Sequence, residues 1–102
     1  MNLPDELVIL GVTYDIRPMD AITKTDTMGM YNSRTASILI DMEMSAQVQL
    51  STLWHELIHI IQFQLGVTTD ETVANAMAAG IHELLTNNPA LVECYISKKR
   101  KK

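Results

Sequence analysis

A chain of 102 residues, 47% of them apolar, has room for one compact core and not for a second domain of ordinary size. No run approaches the roughly 18–20 apolar residues of a membrane span. The opening MNLPDELVILG also lacks the basic start and long apolar stretch of a secretory signal, so the expected location is the cytoplasm. The net charge of −4 divides unevenly: Lys98-Lys99-Arg100-Lys101-Lys102 forms a basic end, expected to be a disordered tail, behind an acidic body that repels phosphate and argues against nucleic acid as a partner.

Leu7-Val8-Ile9-Leu10 is β-prone, and Val12-Thr13-Tyr14-Asp15-Ile16 alternates as a half-buried strand does. Gly11 between them marks a turn or a bulge, and Pro18 closes the segment. Residues 19–26 read as a loop or a short helical turn. Met28–Tyr31 and Ala36–Ile40 then flank Asn32-Ser33-Arg34-Thr35, a polar turn of hairpin length.

The pattern changes at Ser45. No Pro or Gly occurs before Gly66, and Leu50, Leu53, Trp54, Leu57, Ile58 and Ile61 recur at helical spacing. Ser45 fits the N-cap and Gly66 the C-terminal stop. A second helix is expected from about Asp70 to Thr86, with Val73, Ala74, Met77, Ile81, Leu84 and Leu85 on its apolar face. Thr68 and Glu71 have capping-box spacing, and Asn87-Asn88-Pro89 ends the helix. Residues 89–97 are apolar enough to pack back onto the body. Strands followed by helices predict an α+β fold: a small, mainly antiparallel sheet of about three or four strands, packed against the two helices.

The chemistry concentrates in His55-Glu56-Leu57-Ile58-His59, an H-E-x-x-H on the first long helix. Residues at i and i+4 lie about 40° apart around a helix and one turn apart along it, so two imidazoles can converge on one ion. Glu56 is rotated by about 100° from His55 and points beside that ion, where a carboxylate can take a proton from water. The competing explanation is a pair of core histidines hydrogen-bonded to their neighbours. Zinc suits two imidazoles and one carboxylate, and it needs a third protein ligand from Asp70, Glu71, His82, Glu83 or Glu93.

Glu71 is the strongest of these because Asn75 follows at i+4 on the same face, where it can hydrogen-bond a ligand histidine from behind. The plainer alternative makes Asp70 and Glu71 first-turn acids that favour the helix dipole. His82 reads as a surface residue or a substrate-side contact. Cys94, the only cysteine, permits no internal disulfide and reads as half-buried.

HELIH followed by Glu71-Thr72-Val73-Ala74-Asn75 resembles the gluzincin metallopeptidases, in their compact forms: the ImmA/IrrE-like metallopeptidases and the minigluzincins. Many small phage and prophage proteins look similar. The resemblance covers residues 28–88 well and 7–17 loosely, and it implies one metallopeptidase domain over residues 1–97. It implies one zinc per chain on His55, His59 and Glu71, with Glu56 as the catalytic base. It also implies a peptide or protein substrate, held by strand addition along Ala36–Ile40.

Larger members supply a Tyr or His to the oxyanion. The matching segment is missing here, and Tyr31, His82 and Tyr95 are the possible substitutes. Minigluzincins further suggest that residues 89–102 cover the cleft and keep the enzyme latent. The alternative function is a metal-stabilised binding or regulatory module, of phage or prophage type, that has lost turnover. Oligomeric state is not legible from the sequence.

Overall fold

The computed structural model describes residues 3–19, 27–67 and 70–100, with side chains to residue 96. The expected loop or turn at residues 19–26 lies outside the described residues from residue 20 onward. The order is β1 (Glu6–Ile9), β2 (Val12–Pro18), β3 (Gly29–Asn32), β4 (Ser37–Ile40), α1 (Ala46–Gln64), α2 (Glu71–Asn87) and α3 (Pro89–Arg100). The fold is α+β, as the sequence predicts.

β1 and β2 form a hairpin, with Ile9 opposite Val12 across a two-residue turn. Leu10 and Gly11 both take positive φ, 48° and 86°. This is the handedness that matches the twist of the flanking strands. At the next hairpin, Asn32 Oδ1 accepts from the backbone N–H groups of Arg34 and Thr35 at 2.9 and 3.3 Å. Ala36 has φ 53°, which keeps it in the turn and starts β4 one residue later than expected.

The four strands are ordered β1-β2-β4-β3. β4 runs parallel to β2 and antiparallel to β3. The sheet is therefore mixed, with one parallel pair. The expected peptide-binding role of Ala36–Ile40 is corrected here. β4 is paired on both sides and has no backbone groups free for an added strand.

α1 begins at Ser45, whose Oγ accepts from the Val48 N–H at 3.3 Å. It ends at Gly66, φ 72°, where Val67 N–H reaches Gln62 C=O and Gly66 N–H reaches Phe63 C=O. These paired bonds satisfy carbonyls that a helix end leaves open. Leu53, Leu57 and Ile60 face the sheet and close a core over Ile9, Tyr14, Ile16, Ile38 and Ile40.

α2 is capped by Asp70, whose side chain accepts from Thr72 N–H at 2.8 Å. Thr68, the expected cap, lies outside the described residues. The buried face of α2 agrees with the expected one at Ala74 and Ile81 and departs from it elsewhere. Ala74 and Ala78 are buried against Ile58, with Trp54 and Ile81 alongside, whereas Val73, Met77 and Leu84 are exposed. Two alanines one turn apart let the helices approach closely; Ala74 belongs to the expected apolar face, and Ala78 does not.

The C-terminal expectation fails as well. Pro89 starts a new helix, a position proline favours because its missing N–H is not needed there. Among the described residues, α3 packs only against α2. Leu91, Tyr95 and Ile96 are exposed, and so is Cys94, against the half-buried position expected of it. Among the described residues, no part of α3 lines the cleft described below.

Candidate metal centre

His55 and His59 lie one turn apart on α1, on the side turned towards the start of α2. The short link after Gly66 and the alanine contact bring the first residue of α2, Glu71, opposite them. His55 Nε2 lies 3.0 Å from Glu71 Oε1, and His59 Nε2 lies 3.1 Å from Oε2. The imidazoles meet edge to face, with 4.7 Å between centroids. Three donor atoms, one from each residue, lie within 4.8 Å of one another, and the group could hold a metal ion. Two imidazole nitrogens and one carboxylate oxygen on separate side chains form the donor set that a divalent cation takes.

Glu56 is 6% exposed although it borders an open cleft. Burial pushes its carboxyl pKa above the ordinary value, and Glu71 nearby adds to the rise while His55 opposes it. The cleft, of about 340 Å³, runs from His55, Glu56 and Glu71 along Thr52 and Asn75 to Gly29 on β3.

Tyr31 of β3 lies with its ring nearly parallel to that of His59, 6.5 Å between centroids and 17° between planes. Its pKa is raised by burial first and by Glu56 second, so the phenol keeps its proton beyond the usual range. The other two suggested oxyanion donors lie elsewhere. His82 pairs with Gln47 Oε1 at 2.9 Å, where Gln47 sits two turns before His55 on α1. Tyr95 is 75% exposed on α3.

Asn75 also departs from expectation. It lines the cleft one turn after Glu71, and among the described residues it makes no hydrogen bond to either histidine. Both Nε2 atoms face Glu71, while Asn75 sits further along the antiparallel helix pair, towards Thr52.

The sequence reading did not single out Thr27, Gly29 or Thr52. A Cβ on Gly29 would fall 2.7 Å from Thr52 Cγ2, so only glycine lets β3 approach α1 this closely. A glycine inside a strand pattern is a known mark of such an approach. Comparison of the chain with protein-family models, curated proteins and solved structures finds no match.

Proposed function

We propose that the chain is a zinc-dependent endopeptidase of the gluzincin type. The observation that carries the reading is the convergence of His55, His59 and Glu71 on one point, beside a buried Glu56. Zinc is favoured over other divalent ions by the two imidazoles and one carboxylate. When bound, zinc supplies Lewis acidity, polarising a carbonyl and lowering the pKa of an attacking water.

The chain's own residues supply the rest. The raised pKa of Glu56 suits it to take a proton from water and pass it to the leaving amine at neutral pH. β3 is the sheet edge next to the cleft, so an extended peptide would add there, and not along β4. Tyr31, protonated and beside His59, is the candidate donor to the developing oxyanion.

A second reading is a metal-stabilised binding or regulatory module without turnover. It is favoured by the displacement of His82 and Tyr95 from the centre, which leaves Tyr31 alone of the three suggested donors. Glu56→Gln separates the two. The peptidase reading expects peptide hydrolysis to fall by roughly 10²–10⁴-fold at unchanged zinc content. Equal hydrolysis by both forms, or none by the wild type at full zinc occupancy, removes it.

A further inference from the structure

The outer strand β3 begins beside Thr27, whose side chain bonds to the strand's own backbone. Asp41 N–H bonds to Met28 C=O at 3.0 Å, so Met28 directs its backbone towards β4. In an antiparallel pair the direction alternates along the strand. The N–H and C=O of Gly29 therefore point away from β4, to the side on which no described strand pairs. Both are already engaged. The Thr27 hydroxyl donates to Gly29 C=O at 2.7 Å and accepts from Gly29 N–H at 3.4 Å. One side-chain oxygen thus makes the two bonds that a residue of an added strand would make. It does so at the mouth of the cleft, where Thr27 and Gly29 lie with His55, Glu56 and Glu71.

We propose that Thr27 is a displaceable cap on this edge, whose hydroxyl competes with an extended peptide for Gly29 and so sets how tightly the cleft takes its substrate. The identity of that peptide as a substrate rests on the peptidase reading above. Displacement needs only rotation about χ1 of Thr27, because the bonds belong to its side chain and not to the strand ladder. A bound peptide replaces the hydroxyl with a backbone N–H and C=O of its own, so no polar group of Gly29 is left unpaired. The net cost of displacement is that of about one hydrogen bond, which corresponds to a two- to tenfold weakening of peptide affinity.

The test uses Thr27→Val, which keeps the shape and removes the hydroxyl, and Thr27→Ser, which restores it. Both are made in the zinc-loaded Glu56→Gln chain so that the peptide survives. The probe is a short dye-labelled peptide rich in Val and Thr, read by fluorescence anisotropy. Amide hydrogen exchange at Gly29 is measured in parallel on the free proteins. The proposal expects Thr27→Val to bind roughly two- to tenfold more tightly, Thr27→Ser to match threonine, and the Gly29 amide to exchange faster in the valine variant. Valine binding no tighter than threonine, serine binding as tightly as valine, or unchanged Gly29 exchange overturns it. Peptide bound by none of the variants removes strand addition at β3, and the proposal with it. Tighter binding by valine together with no hydrolysis by the Glu56 chain leaves Thr27 in this role and removes the peptidase reading instead.

Discussion

At Glu56 a carboxylate is held where its charged form is poorly solvated, and the consequence for stability has a definite sign. Its folded-state pKa lies above the unfolded value, so the folded protein binds the extra proton more readily. Stability from this group is fully present below the unfolded pKa and declines as pH rises through the folded one. Glu56→Gln removes the penalty, so the metal-free variant should melt at a higher temperature than the metal-free wild type at neutral pH. The difference should vanish in acid. A neutral-pH melt below that of the wild type would contradict this account of the site.

His59 makes the opposite trade. Zinc at about 100 times its dissociation constant should stabilise the wild type by about 2.7 kcal/mol, seen as a raised melting temperature. His59→Ala should lose that rise. These residues were legible in the sequence because their spacing is intrinsic to one helix. Glu71 was singled out from the few candidates downstream because Asn75 follows it at i+4 on the same helix face. Asn75 was misjudged because the rotation and offset of α2 against α1 decide which atom it meets, and spacing along one helix does not contain them.

At the scale of elements, the β1–β2 turn is strained where it need not be. Leu10 occupies a left-handed conformation that costs most L-residues roughly 1–2 kcal/mol, and asparagine tolerates it far better. Leu10→Asn should stabilise the hairpin by about 1 kcal/mol and raise the melting temperature by roughly 4–8 °C. An unchanged or lower value would show that the leucine contributes more by packing than it costs in backbone strain. The α1–α2 contact is more exacting. Ala78 is 3% exposed at the helix interface, and Ala78→Leu should overpack it at a cost of about 1–3 kcal/mol. It should also weaken zinc binding by moving Glu71 from the histidines. Retained affinity would mean that the helices can separate without disturbing the centre. The two long helices followed from their period, and α1 also from its caps, Ser45 and Gly66. The buried face of α2 followed only in part, at Ala74 and Ile81. Ala78 was missed because alanine carries little hydropathy and its value lies in how closely it lets a neighbour approach.

At the scale of the whole molecule, the strand order determines which edge meets the cleft. Alternation identified β2, and the polar turn Asn32–Thr35 identified the later hairpin. It could not reveal that β2 pairs with β4, because a parallel pairing between separated segments leaves no local pattern. That pairing buries β4 and leaves β3 at the edge among the described strands, so the proposed site of peptide addition is Gly29–Asn32 and not Ala36–Ile40. The last helix was misread for a related reason. Apolar residues at 91, 92 and 96 promise burial only if the chain turns back, and Pro89 starts a helix that leaves them largely outside. Deleting residues 89–102 should therefore leave zinc affinity unchanged and should not release latent peptidase activity. A gain in hydrolysis would show that this segment reaches the cleft after all.

The central claim is that His55, His59 and Glu71 hold a single zinc ion. Anomalous diffraction at the zinc edge from crystals of the zinc-loaded protein tests it most directly. The account predicts one peak per chain, at about 2.0–2.2 Å from His55 Nε2, His59 Nε2 and a Glu71 oxygen. A peak bound by other residues, or Glu71 turned away from ordered histidines with no peak between them, would contradict it.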